Sequence, residues 1–360
     1  MKCISAQFEN FRNIEEAEIR FGDGVTVLFG ENAQGKTNVI EGIYLFARGK
    51  SFRAVKDREA IRFGENTARI KLFCESGGEK KELGVEIPAT RTKSFYKNRV
   101  RCERSSEIIG ELRAVLFCPS HLSLIYDGPA VRRNFLDIAI SQIKPLYMEY
   151  LSRYNRVLAQ RNTLLKTAED GDNGFYDVNE IYAEQLSVLA DKISAYREDY
   201  IEKLDENVRM IFADMTGERE VPTFRYKPSS GECEDRRARY FHLLTTHTDR
   251  ERRMGSTLFG THKDEIEIAI NGREARQYAS QGQQRSLALA MKLSEGEISM
   301  RESGEYPVFL LDDVLSELDV NRRSYVLSAI KDRQVIVSCC EPSDFSKSHL
   351  IKVENGKYLE

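Results

Sequence analysis

No apolar run in this chain approaches the roughly 20 residues of a membrane-spanning helix, so a helical membrane protein is not expected. The opening residues Met1-Lys2-Cys3-Ile4-Ser5 lack the basic-then-apolar pattern of a secretory leader and lead straight into a strand-like segment. Seven cysteines are scattered, odd in number and without a C-x-x-C pair. That usage argues against a structural zinc site and for reduced thiols in a cytoplasmic protein. A charge excess is also missing: the formal net charge is −3, so any nucleic-acid binding must come from local patches. No internal repeat is found. What is present is ordinary soluble composition over 360 residues, enough for about two or three domains and a sizeable core.

Against that background, Gly30-Glu31-Asn32-Ala33-Gln34-Gly35-Lys36-Thr37 fits the G-x-x-x-x-G-K-[ST] phosphate-loop pattern without a gap. The flanks suit it. Val25 to Phe29 is a short apolar run fit for a buried parallel strand, and Asn38 to Ala47 continues as a helix. Glycines let the backbone fold around an anion with its N–H groups inward, and the helix N-terminus adds partial positive charge. Gly30, Asn32, Gly35, Lys36, Thr37 and Asn38 are therefore the expected nucleotide-binding residues. Lys36 would reach the β- and γ-phosphates as a catalytic group, and the Thr37 hydroxyl would hold Mg²⁺.

Residues 1–125 are rich in short strands, with turns at Phe21-Gly22-Asp23-Gly24 and a hairpin tip at Glu75 to Glu79. Residues 126–252 are expected to be a helical insertion. In it, Tyr147, Tyr150, Leu151, Tyr154 and Leu158 recur at helical spacing behind Pro145, which suits a first turn. A second stripe runs through Ile181, Leu186, Leu189, Ile193, Tyr196, Tyr200, Leu204, Val208 and Ile211. Asp170-Gly171-Asp172-Asn173-Gly174 between them reads as a loop, which gives an antiparallel helix hairpin some 40 to 60 Å long, by about 1.5 Å per residue. Both stripes read first as packing seams. Residues 253–360 return to strands and helices.

A phosphate loop needs an acidic strand, and Val308-Phe309-Leu310-Leu311-Asp312-Asp313 supplies one. Asp312 would hold Mg²⁺ opposite Thr37, and Asp313 would position and deprotonate an attacking water as a catalytic base. Taken alone, two acids after a strand read equally as a helix N-cap. Ser280-Gln281-Gly282-Gln283-Gln284 then opens a helix, a second anion-binding N-terminus, although an ordinary cap by Ser280 is the plainer reading.

These last residues resemble the signature motif of ABC-type ATPases, and Asp312 to Asp319 resembles the segment that follows their acidic strand. That resemblance implies that Ser280, Gly282 and Gln283 face ATP held by a second subunit, with Ser316 and Asp319 at the dimer seam. The whole chain resembles the RecF family of SMC/ABC-type ATPases nearly end to end. The blocks are Phe8 to Asn13, Gly30 to Glu41, Gly49-Lys50-Ser51-Phe52-Arg53, Gly128 to Asp137, Gln160-Arg161-Asn162, Thr261-His262-Lys263-Asp264 and Ser280 to Gln284. The fold implied is α/β, a phosphate-loop ATPase head with a helical insertion. The insertion is too short for a long coiled coil. Three places depart from the pattern. Asp313 stands where glutamate is usual, which implies slow hydrolysis. Ser338-Cys339-Cys340 stand where a switch histidine is expected. Cys118-Pro119-Ser120-His121 follows Val115-Leu116-Phe117 without a Q-loop glutamine, so that assignment stays open.

Arg91, Lys93, Lys97, Arg99 and Arg101 gather with two aromatics in one expected hairpin, and Arg236-Arg237-Ala238-Arg239-Tyr240 is a second basic cluster. A charge run is usually a solvated face. The resemblance favours contact with duplex and gapped DNA through backbone phosphates, since nothing here looks like a base-reading helix. It further implies cofactors ATP and Mg²⁺, an ATP-dependent homodimer, and partnership with RecR, RecO and RecA in DNA repair, replication restart and SOS induction, with weak DNA-stimulated ATP hydrolysis. The alternatives are an SMC-like ATPase of another DNA-maintenance or defence role, a transporter ATPase with a membrane partner, and an interaction module with negligible hydrolysis.

Overall fold

In this computed structural model the described residues are 1–167, 174–217, 220–345 and 348–359. The chain divides into two compact units, Met1–Ser123 with Arg285–Glu360, and Leu124–Gln284. The first unit opens with β1 (Lys2–Phe11), β2 (Ile14–Arg20), β3 (Val25–Phe29) and α1 (Lys36–Arg48). It continues through β4 (Thr67–Ser76), β5 (Glu79–Pro88), β6 (Ser94–Lys97), β7 (Val100–Arg101) and β8 (Ala114–Phe117). The second unit carries α2 (Pro129–Ile143), α3 (Pro145–Thr167), α4 (Phe175–Thr216), β9 (Pro222–Lys227), α5 (Arg236–Thr246) and α6 (Thr248–Met254). It ends with β10 (Glu265–Ile270), β11 (Arg273–Glu274) and α7 (Ala275–Tyr278). Helix α8 (Gln281–Ser303) starts in the second unit and continues in the first, which closes with β12 (Val308–Asp312), α9 (Val320–Ile330), β13 (Val335–Cys339), β14 (His349–Glu354) and β15 (Lys357–Leu359).

Two six-stranded sheets build the first unit. One is antiparallel, β2-β1-β4-β5-β6-β7, and its strands alternate buried and solvated residues, as one-sided sheets do. The other, β15-β14-β3-β13-β12-β8, is parallel except at its β15 edge. Its central strands are near-continuous apolar runs because both faces are covered, and every residue of β12 is buried. Helix α1 is buried from Val39 to Ala47 rather than along one stripe. Gly42 explains how it is covered on its outer side: a Cβ there would lie 2.4 Å from Phe8 Cε1, so the helix meets the antiparallel sheet at backbone distance.

In the second unit α3 and α4 pack together, and Pro145 takes the first position of α3. Helix α4 has 42 residues, about 63 Å at 1.5 Å per residue. Most of the expected α4 stripe is buried, including Ile193, Leu204 and Val208, but Ile181 is 57% exposed. The loop expected at Asp170 to Asn173 lies outside the described residues. Arg161 is fully buried and bonded to Glu251 at 2.6 Å, Asn179 at 3.1 Å and Thr257 at 2.9 Å, so the charge is paired and every arm of the guanidinium is satisfied. The stretch 253–284, grouped on sequence with the C-terminal ATPase part, lies here with the second unit. The reason is strand pairing, because β10 pairs antiparallel with β9, some forty residues earlier. Among the described residues no helix is long and apolar enough to cross a membrane.

Candidate functional site

The loop between β3 and α1 has the shape its glycines permit. Gly30 has φ 147° and Gly35 φ 119°, both in the left-handed region. A Cβ on Gly30 would lie 2.4 Å from the Val353 carbonyl oxygen, and one on Gly35 would lie 2.8 Å from Asn13 Oδ1. Neither position accepts another residue without moving the loop. Lys36 is 3% exposed, and its ammonium donates to the Gly30 carbonyl at 2.5 Å and the Glu31 carbonyl at 3.1 Å. The charge is thus held within the loop, with no carboxylate partner among the described residues.

Parallel pairing of β3, β13 and β12 brings the acidic strand end beside this loop. Thr37 Oγ1 donates to Asp312 Oδ1 at 2.7 Å. Ser338, opposite Asp312 in the β12–β13 register, donates its hydroxyl to the same carboxylate oxygen at 2.9 Å and accepts the Asp313 N–H at 3.0 Å. Asp312 is 6% exposed. Burial pushes its carboxyl above the usual range, the Thr37 and Ser338 hydroxyls pull it back, and the neighbouring Asp313 charge raises it again. Asp313 has φ 49°, a left-handed backbone that aspartate tolerates; it stands at the N-cap position of the short 3-10 turn Val314–Glu317 but makes no side-chain cap hydrogen bond there. Asp313, Asn32, Ser316, Ser338 and Cys340 line an open cavity of about 550 Å³.

Further residues brace the loop. Asn13 donates to the Gln34 carbonyl at 3.0 Å and accepts from Asn38 Nδ2 at 2.7 Å. The Tyr358 hydroxyl donates to the Gly35 carbonyl at 3.2 Å, and the Asn355 and Gly356 N–H groups bond to Gln34. The Asn38 side chain is committed to Asn13 and to Arg53 Nη1 at 2.9 Å. Glu41, fully buried one turn beyond Thr37, accepts both arms of Arg12 at 2.6 and 3.0 Å, and Ser51 Oγ at 2.5 Å. The Arg12-Asn13 and Ser51-Phe52-Arg53 blocks thus acquire a role that the sequence did not assign. Tyr358 and Asn355 carry no local signal, since they act from more than 300 residues away. Cys340 was likewise missed as a neighbour of the loop: its Sγ lies 3.9 Å from Lys36 Nζ and 3.3 Å from Asn32 Oδ1.

Ser280, Gly282 and Gln283 stand at the start of α8, within the second unit. Ser280 Oγ accepts the Gln283 N–H at 3.2 Å while Gln283 Oε1 accepts the Ser280 N–H at 2.6 Å, a reciprocal capping box. The plain capping reading of Ser280 is therefore realised, and a bond from Gln283 Nε2 to Glu220 at 2.5 Å adds to it. Ser316 Oγ donates to the Asp313 carbonyl at 2.6 Å, and Asp319 caps α9 by accepting the Arg322 N–H at 3.1 Å. The basic hairpin is present as β6 and β7, but most of its cations are neutralised within the chain. Arg91 pairs with Glu86, Lys93 with Asp57, Lys97 with Glu111 and Arg99 with Glu82. Arg101 is exposed and makes no ion pair among the described residues. In the other cluster Arg236 pairs with Glu198, Arg237 pairs with Glu184, and Tyr240 is buried.

A family model described as RecF/RecN/SMC N terminal domain matches residues 4–356. The "DNA replication and repair protein RecF" of Clostridium novyi (strain NT) is 37% identical over 352 residues, covering 96% of both chains. That of Thermoanaerobacter sp. (strain X514) is 35% identical, with 98% of each covered. Among solved structures, one described as the "recombination mediator protein RecF-ATPrS in RecFOR pathway" superposes with a TM-score of 0.93 at 33% identity, covering 99% of this chain and 97% of that one. An Smc head domain from Pyrococcus furiosus matches at a TM-score of 0.57 and 16% identity over 99% of this chain and 95% of that one, a likeness of fold alone. The architecture is thus that of an SMC/RecF-type ATPase head.

Proposed function

Because the chain belongs to the RecF family of the RecF/RecN/SMC group, we propose that it is an ATP-dependent, DNA-binding recombination mediator. In this reading it dimerises on ATP, clamps duplex DNA near single-strand gaps, and helps RecR and RecO load RecA in repair, replication restart and SOS induction. The observation that carries the nucleotide part is the 2.7 Å bond between Thr37 and Asp312, which joins the two halves of a phosphate site across 275 residues.

The residues fit ATP with Mg²⁺. Gly30 and Gly35 hold the positive-φ backbone that a phosphate loop needs, and the Lys36 ammonium can exchange two carbonyl partners for phosphate oxygens. Among the described residues no group of three or more His, Cys, Asp or Glu side chains could hold a metal. The adjacent oxygens of Thr37 and Asp312 suit instead a Mg²⁺ ion held mainly by phosphate and water. When bound, that ion neutralises charge on the phosphate oxygens. Ser338 orients the Asp312 carboxylate and fixes the Asp313 backbone. Asp313 borders the cavity, where its carboxylate would take a proton from water attacking the γ-phosphorus as ADP leaves. Aspartate is one carbon shorter than glutamate, and Ser338 is committed to the two acids. Both points favour slow turnover, with hydrolysis as a switch, and they also keep the reading of an interaction module with negligible hydrolysis as the second choice. ATP shifts the monomer–dimer balance only as far as it binds the dimer more tightly.

The test is binding to a labelled gapped duplex with and without ATP, with complex mass followed by sedimentation. ATP-dependent binding at doubled protein mass is expected. Binding by a monomer, indifferent to ATP, would refute the gating and favour the interaction module.

A further inference from the structure

The loop that follows α1, from Gly49 to Ala60, carries Lys50, Arg53, Lys56 and Arg58 against two acids, Asp57 and Glu59. Its charges are distributed differently from those of the β6–β7 hairpin. Asp57 is neutralised from outside the loop by Lys93 at 2.7 Å. Arg53 is turned inward, to Asn38 at 2.9 Å and Glu41 at 3.4 Å. Lys50, Lys56 and Arg58 are exposed, and their side chains make no hydrogen bond or ion pair among the described residues. Val55, in the middle, is 91% exposed, so the tip of the loop is not packed on its own chain. In the hairpin, by contrast, four of the five expected cations already have carboxylate partners. A paired cation releases few counterions when a phosphate approaches, whereas an unpaired one contributes in full.

The loop is also fixed at several points. Ser51 Oγ accepts the Arg53 and Ala54 N–H groups at 2.9 and 2.8 Å while donating to Glu41. Arg12 bonds the Glu59 carbonyl at 2.7 Å, and the Arg12 N–H bonds the Ala60 carbonyl at 2.8 Å. Both ends are therefore tied through Arg12 and Ser51 to Glu41 on α1, the helix that begins at Lys36. A pre-organised cation array loses little conformational freedom on binding a polyanion.

We propose that the Gly49–Ala60 loop, through Lys50, Lys56 and Arg58, is a docking surface for the phosphodiester backbone of duplex DNA. This rests on the DNA-binding reading above and moves the contact away from the hairpin that the sequence put forward as a candidate. The contact is to backbone phosphates and carries no base preference.

The test measures anisotropy of a labelled blunt DNA duplex with saturating ATP, as salt is raised from about 50 to 200 mM. Three proteins are compared: the parent, Lys50→Ala/Lys56→Ala/Arg58→Ala, and Arg91→Ala/Arg99→Ala/Arg101→Ala. Losing three phosphate contacts should flatten the log–log salt slope by about 2.7, so affinity over that fourfold salt range changes about 40-fold less than in the parent. The hairpin variant should flatten it by about 1 at most. A Lys56→Glu protein with a parental melting curve separates surface effects from misfolding, and it should bind more weakly than the parent. If the parent binds and the loop variant keeps the parental slope, the docking surface is refuted while the DNA-binding reading stands. If the parent itself does not bind duplex, both fall.

Discussion

Ser338→Ala is the sharpest perturbation of the site, because one hydroxyl serves two acids. Ser338 is 1% exposed, donates to Asp312 at 2.9 Å and accepts the Asp313 N–H at 3.0 Å. Its removal takes one donor from a buried carboxylate, worth about 1.5–3 kcal/mol, and strands a backbone N–H at a cost of about 1–3 kcal/mol. The two share an atom and do not add fully, so a destabilisation of about 2–4 kcal/mol is expected. At about 2–4 °C per kcal/mol for a unit of this size, that lowers the melting temperature of the first unit by about 4–16 °C. It also removes one of the two hydroxyls that hold the Asp312 carboxyl down, so the group moves further up and binds a cation less readily. If about 1.4 kcal/mol of that loss reaches the bound state, Mg²⁺-dependent ATP affinity falls about tenfold. Ser338→Thr keeps the oxygen and should recover most of both quantities. Calorimetry with and without Mg²⁺ and ATP reads both. A Ser338→Ala protein with parental melting and parental metal-dependent affinity would refute the role given to this residue.

Lys36→Arg is expected to keep some ATP binding and lose phosphate release, since a guanidinium does not fit between the Gly30 and Glu31 carbonyls; parental turnover would remove Lys36 from catalysis. Ser280→Arg should bind ATP yet fail to dimerise in sedimentation, whereas Ser280→Ala loses only a cap of about 1 kcal/mol; normal dimerisation of the arginine variant would sink the trans role. Alkylating Cys340, whose Sγ is 3.9 Å from Lys36 Nζ, should block ATP binding, and bound ATP should slow the alkylation; equal labelling rates with and without ATP would count against a phosphate at Lys36. Burial pushes the His121 imidazole down to about 3 and the His262 imidazole down to about 4, while both titrate near ~6.5 when unfolded. The unfolded chain therefore binds protons that the native one does not, and the stability from these neutral rings, complete above about pH 6.5, is lost on acidification at up to about 1.4 kcal/mol per pH unit for each ring. Urea midpoints at pH 7.5 and 5 should differ for the parent and differ less in His262→Gln; a parent flat over that range would contradict the assignment.

What the sequence alone determined is what local chemistry encodes. Gly30 to Thr37 can be read as a phosphate loop because only certain residues adopt its backbone, and β3 and β12 can be read as buried strands because apolar runs have few other uses. The α3–α4 pair followed from helical periodicity. Tertiary structure decided what depends on residues far apart. It set the β12–β13 register that puts Ser338 against both acids, and it brought Tyr358 and Asn355 to the loop from the far end of the chain. It also sorted the cations. A run of basic residues looks alike whether or not it is paired, and only the fold could give Arg91, Lys93, Lys97 and Arg99 their carboxylates while leaving Lys50, Lys56 and Arg58 in solvent. Sequence carries the type of a charge, but its partner is a property of distance in space.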